Sequence, residues 1–173
     1  RDLLFYSSDI HGNLLIRQRM RVVQALLEQD QVTVVTSIDG CMDLLRPLEN
    51  VEKMLLTFRN DSELDVDELR KALVAMGYER VGQVEMPGQF AIRGGIVDIY
   101  SLTEDNPWRI ELWGDEIDSI RSFDSQSQRS IDNLAEITIY PAAEQIGEER
   151  EVSFIEYFPK DKTLIFLDEP NHL

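Results

Sequence analysis

The chain has little cysteine, little histidine and little positive charge, and each shortage excludes something. Cys41 is the single cysteine, so neither an internal disulfide framework nor a multi-cysteine zinc site can form within one chain. A reducing, cytoplasmic compartment is consistent with that. Cys41 sits in an apolar segment without a histidine or second cysteine beside it, and reads as a packed thiol rather than a nucleophile. The two histidines, His11 and His172, stand far apart with no positioned nucleophile, and do not make a triad. No apolar run approaches the roughly 20 residues of a membrane helix, and no basic-then-apolar leader opens the chain. A G-x-x-x-x-G-K-[ST] phosphate loop is also missing, although Ser37 to Gly40 superficially suggests the start of one. Acids dominate: 33 Asp plus Glu against 17 Lys plus Arg give a formal charge of −16. Phosphate backbones repel such a chain, which suits a protein partner with a basic or mixed surface better than a nucleic acid. The same acidity also serves plain solubility.

What remains is a chain of 173 residues, 43% hydrophobic, long enough for one large domain or two small ones. Asp2 to Tyr6 reads as a short strand that opens without cap or leader, as if cut from something longer. From Asn13 to about Glu28 the recurrence of Ile16, Met20, Val23 and Leu27 predicts a helix, with Arg17, Arg19 and Arg21 mostly on its polar face. Those arginines could touch phosphate or pair with the acids of this chain. The β-branched run Gln31 to Ser37 predicts a strand covered on both faces in an α/β sheet. A brief helix through Leu45, stopped by Pro47, follows.

Met54 to Phe58 predicts a strand. A helix then starts at Asp65, with Glu68 completing an N-terminal capping pair, Val66, Leu69, Leu73 and Met76 forming its apolar stripe, and Gly77 supplying a left-handed stop. Tyr78 to Val84 leads back as a strand into the central stretch, Pro87 to Asp124, where apolar and polar residues alternate with period two. One long strand from Phe90 to Tyr100 places Phe90, Ile92, Ile96 and Tyr100 on one face and Arg93, Val97 and Ile99 on the other. Ser101 to Asn106 is a polar connection. In the next strand Trp108, Ile110 and Leu112 share a buried face, and Arg109, Glu111 and Trp113 the opposite one.

Arg and Trp are the side chains most often found at the energetic centre of protein interfaces, because one brings fixed donors and the other a rigid apolar plate. The structural alternative pairs Arg109 with Glu111 or a cross-strand acid and covers Trp113 with the neighbouring helix. Asp115, Glu116 and Asp118 match no calcium-loop spacing and read as hairpin and surface acids. Ser125 to Asp132 is turn-like, Ala135 to Tyr140 is a strand ending at Pro141, and Ala142 to Arg150 is an acidic connection. Val152 to Phe158 predicts a short helix. Thr163 to Leu167 predicts a buried parallel strand ending in Asp168 and Glu169, the layout of a Walker B element without a phosphate cradle. The pattern is α/β plus α+β: an incomplete α/β domain, residues 1–54 and 141–173, interrupted by a small domain at 55–140 with an antiparallel-rich sheet and a packed helix.

The run Gly88 to Tyr100, with Arg93-Gly94-Gly95 at its middle, then Arg109-Ile110-Glu111, Asp115 to Asp124 and Ser127-Gln128-Arg129-Ser130, resembles the N-terminal module of the bacterial transcription-repair coupling factors. That module is in turn similar to part of the excinuclease B subunit. The resemblance implies a degenerate helicase-like α/β domain, in which Asp168-Glu169-Pro170-Asn171 followed by His172 is an altered motor remnant. It implies no catalysis and no cofactor in this piece, the translocase of such proteins lying in a distant region and RNA polymerase and DNA being met through other domains. The implied partner is the excinuclease A subunit, UvrA, met by Arg93, Arg109 and Trp113. Relatives commonly carry phenylalanine at the last of these. A nucleotide-dependent DNA motor of the excinuclease B type is the alternative from another class, and a face masked by another domain of a longer protein is a third.

Overall fold

The computed structural model describes the backbone of residues 2–143 and 151–167, and the side chains of 14–143 and 151–167. Helix α1 runs Asp2–Glu28. The strand expected over Asp2 to Tyr6 is therefore helix, and Gly12, which costs a helix about 1 kcal/mol relative to alanine, does not break it. Met20 and Val23 of its apolar stripe are buried, with Ile16 and Leu27 packed beside them. Short elements follow: α2 (Ile38–Met42), β1 (Leu44–Leu45) and α3 (Leu48–Glu52). Residues 31–37 form no strand, and Val35 stands in solvent. A β-branched run becomes a strand only when a neighbour takes its backbone hydrogen bonds, and none among the described residues does.

After β2 (Leu56–Arg59) comes α4 (Val66–Ala75), which begins and ends as the sequence requires. The Asp65 carboxylate accepts from the amides of Asp67 and Glu68 at 2.9 and 3.0 Å. At the other end Gly77 takes φ 89°, and the amides of Gly77 and Tyr78 donate to the carbonyls of Val74 and Leu73. This is a Schellman closure.

Six strands then make the main sheet, in spatial order β3 (Glu79–Arg80), β4 (Gln89–Arg93), β5 (Ile96–Tyr100), β6 (Trp108–Trp113), β7 (Glu116–Phe123) and β8 (Ser130–Leu134). All neighbours are antiparallel except β3 with β4, which are parallel. Three expectations change here. The segment Tyr78 to Val84 contributes two strand residues, not seven. The turn-like stretch after Ser125 hides β8. The single strand Phe90 to Tyr100 is a hairpin turning at Gly94-Gly95, with Arg93 opposite Ile96 and Phe90 opposite Ile99. Directly opposed residues share a face, so Phe90, Ile92, Val97 and Ile99 point inward together while Arg93, Ile96 and Tyr100 point outward.

The inner face, continued by Trp108, Ile110, Ile117 and Ile120, packs against Leu69, Leu73 and Met76 of α4. Ile137 and Ile139 join it from β9 (Glu136–Ile139), which pairs with β2. A second core joins Met20 and Val23 to Leu45, Val51, Tyr140, Val152, Phe154 and Tyr157. Its C-terminal part is β10 (Val152–Ser153), paired with β1, and a 3-10 turn at Phe154–Tyr157 where a short helix was expected. Residues 163–167 form no strand either, and Leu164 to Leu167 are exposed rather than buried. Most of the connection 142–150 lies outside the described residues, as do Asp168 and Glu169.

The basic face of α1 meets acids and carbonyls of this chain. Arg17 donates to the Glu104 carbonyl at 2.7 Å and to Asp105, Arg21 to the Thr103 carbonyl and Asp105, and Arg19 to Asp43. The loop from Ser101 to Asn106 is thereby clamped, and Ser101, Leu102 and Thr103 are buried.

Candidate docking site

The outer face of the main sheet carries the side chains that sequence reasoning singled out. Its strand register places Arg93, Ile96, Glu111 and Ser119 in one row and Ala91, Asp98, Arg109 and Arg121 in the next. Farther along the same face, Val84, Ala91, Tyr100 and Phe123 close into a small apolar cluster.

Asp98 is the pivot of the polar part. It is wholly buried, 0% exposed, and one carboxylate oxygen accepts from Nε of Arg109 at 2.7 Å. The other accepts from Arg109 at 2.8 Å and from Arg93 at 2.5 Å. Arg109 also donates to Gln128 Oε1 at 2.8 Å and lies over the Phe123 ring, 4.3 Å from its centre. A planar guanidinium held by a bidentate carboxylate and an aromatic face has little freedom left. The Asp98 hydrogen bond also raises the pKa of Arg109 further above its ordinary value. The side chain of Arg109 is only 14% exposed, whereas that of Arg93 is 44% exposed and gives Asp98 one donor. Beside them Arg121 pairs with Glu111, and its Nε is buried without a hydrogen-bond partner.

Trp113 ends β6 and is 82% exposed. It stands opposite Glu116 across the two-residue turn Gly114-Asp115, where Gly114 adopts φ 64°. The turn is braced from behind: the Leu64 amide donates to the Asp115 carbonyl at 2.7 Å and the Ile117 amide to the Ser62 carbonyl at 2.9 Å. Inside the neighbouring hairpin, Gly95 approaches β6 so closely that a Cβ there would lie 3.0 Å from the Leu112 carbonyl oxygen. The structural alternative thus holds for Arg109, which pairs with a cross-strand acid, and fails for Trp113, which no helix covers. Arg93 and Arg109 are brought together through Asp98. Trp113 lies on the order of 10 Å away by strand spacing, on the same face.

Sequence reasoning missed Asp98. Its signal was a lone acid inside the apolar run Ile96-Val97-Asp98-Ile99-Tyr100, with an arginine five residues before it. Among the described residues no group of three or more His, Cys, Asp or Glu could hold a metal ion, and no helix is long and apolar enough to cross a membrane. A cleft of about 240 Å³ between α1 and the sheet offers Glu28, Glu104 and Glu136 with no histidine beside them, and its one hydroxyl, that of Thr138, is hydrogen-bonded to Thr57 at 3.1 Å. Chemistry of the acyl- or phosphoryl-transfer kind has no constellation there.

The outer face therefore carries an exposed aromatic on a braced hairpin tip together with two guanidiniums joined through Asp98. The chain belongs to the UvrB interaction domain family, whose model matches residues 56–144. It is similar to curated transcription-repair-coupling factors: 43% identical over 129 residues to that of Bacillus subtilis strain 168, covering 75% of this chain and 11% of the relative. To that of Staphylococcus aureus strain MRSA252 it is 38% identical over 155 residues, 90% of this chain and 13% of the relative. To that of Staphylococcus haemolyticus it is 39% identical over 146 residues, 84% of this chain and 12% of the relative. The chain thus spans between 11 and 13% of the length of these relatives.

Proposed function

We propose that the sheet domain recruits the excinuclease A subunit, UvrA, as part of a transcription-repair-coupling factor acting where RNA polymerase has stalled. The observation that carries this is the outer sheet face itself, where an uncovered Trp113 stands with a half-exposed Arg93 on a domain matched as the UvrB interaction domain. Arg93 and Arg109 meet acids of the partner, and Trp113 supplies the apolar anchor. The domain occupies residues 55–140. Residues 1–54 and 141–173 form the degenerate α/β support, a reading favoured by the core that α1, Leu45 and Val51 share with Val152, Phe154 and Tyr157. The setting is the cytoplasm of a bacterium, and contacts to RNA polymerase and DNA belong to other parts of the longer protein.

The test is calorimetric titration of this chain with purified excinuclease A subunit, wild type against Arg93→Glu. Saturable binding that the charge reversal abolishes is the expected result. No binding, or binding indifferent to the reversal, overturns the proposal. A motor of the excinuclease B type would instead raise the melting temperature on addition of ATP and magnesium, and no such shift is expected from a chain without the phosphate loop.

A further inference from the structure

The geometry points to Asp98 as the positioning residue of the docking face: its buried carboxylate holds two like-charged guanidiniums side by side in the orientation a partner's acids must meet. The inference rests on the docking reading above and adds a residue that does not itself reach the partner.

Two arginines on β4 and β6, the strands either side of β5, repel one another, and each long side chain has many rotamers to lose on binding. Here both donate to the same Oδ2 atom, and the second Asp98 oxygen fixes Nε of Arg109. One negative charge between two positive ones leaves a cluster of net charge +1, buried on the Asp98 side and open on the Arg93 side. Gln128 and the Phe123 ring restrain Arg109 from the remaining directions. Because Asp98 is fully enclosed, a partner carboxylate cannot displace it and must take the outward donors that remain. The ordering cost of the arginines is met during folding rather than at association.

Charge and positioning oppose each other when Asp98 is neutralised, which makes the idea decidable. Asp98→Asn raises the local charge to about +2, so a purely electrostatic face would attract an acidic partner faster and hold it more tightly. A positioned face behaves otherwise. Association stays as fast or quickens, dissociation accelerates by about tenfold or more, and net affinity falls.

The experiment is surface-plasmon kinetics of the whole chain on immobilised excinuclease A subunit. Wild type, Arg93→Ala, Asp98→Asn and the double variant are compared at a temperature where circular dichroism shows each to be folded. The expected result is faster dissociation for Asp98→Asn and a double variant well short of the product of the two single effects. Unchanged or tighter binding by Asp98→Asn, or strictly multiplicative effects, overturns the inference while the docking reading stands. Failure of wild type to bind, or indifference to Arg93→Ala, overturns both. Side-chain NMR of the wild-type chain decides independently if Asp98→Asn does not fold. The Nε–H group of Arg109 should be rigid before the partner is added and unchanged afterwards. Mobility that disappears only in the complex overturns the inference.

Discussion

Replacing Trp113 by alanine separates binding from folding more cleanly than any other change on this face. Trp113 is 82% exposed, so its replacement leaves the stability of the free chain within about 0.5 kcal/mol. Its value to a complex follows from area. A tryptophan presents roughly 200 Å² of surface, most of it still available here, and at about 25 cal/mol per Å² its full coverage contributes about 4 kcal/mol. Coverage at an interface is rarely complete, and the cost of truncating such an anchor is typically about 2 kcal/mol or more. At 1.4 kcal/mol per factor of ten, the expected loss lies between about 30-fold and about 1,000-fold in Kd. The brace behind Gly114 matters to that figure, because an aromatic on a fixed turn gives up little freedom on docking. Isothermal titration against the excinuclease A subunit measures the loss, and a thermal melt confirms that stability has not moved. Intrinsic fluorescence supplies an internal reporter. The chain has two tryptophans, and the other, Trp108, is buried, so a spectral shift on complex formation reports Trp113. Equal affinities for wild type and Trp113→Ala, with both chains folded, would refute the assignment of this side chain to the interface.

The remaining predictions concern what holds the face in place. Asp65→Ala removes the Oδ1 that accepts both capping bonds of α4 and should lower stability by about 1 kcal/mol in urea unfolding, with an unchanged m-value. Ile110→Ala, at a fully buried position of the inner face, should cost about 2 to 5 kcal/mol in the same assay. Asp105 has its pKa lowered below the ordinary 3.8, chiefly by its hydrogen bond from Arg21. A depressed carboxylate stabilises the folded state above its unfolded pKa and loses that contribution as pH falls through the folded value. Acidification below 3.8 should therefore loosen the contact between α1 and the Ser101 to Asn106 loop, by a small amount because the pair is exposed. Amide exchange at Thr103 to Asn106 follows this loosening, and Asp105→Asn should abolish its pH dependence.

The elements legible in the sequence were those whose signals are local. Helix α4 carries its cap, stripe and stop within 13 residues from Asp65 to Gly77, and the structure shows the Asp65 cap, the buried Leu69, Leu73 and Met76 and the left-handed Gly77. The Glu68 side chain turns to Lys71 instead of closing the capping pair, and Val66 is only half-buried. Strand β6 shows its two faces through alternation alone. The failures arose where structure depends on partners distant in sequence. The runs 31–37 and 163–167 have strand composition but no strand beside them among the described residues. The Gly94-Gly95 turn reversed the chain inside what alternation made a single strand, and so exchanged the expected faces of Ile96 and Val97. At the docking face, the two-sided character of β6 was readable, whereas alternation left Trp113 open between an exposed anchor and a side chain covered by the neighbouring helix. The bond between Arg109 and Asp98 was not readable, because it joins residues 11 apart across the β5–β6 pairing, whose register depends on how the Ser101 to Asn106 loop is held.

The clamp of Arg17 and Arg21 on the Ser101 to Asn106 loop has a mechanical side. That loop is the link between β5, which bears Asp98, and β6, which bears Arg109 and Trp113. A displacement of the N-terminal helix is therefore felt first at the link between the two strands that bear Asp98, Arg109 and Trp113.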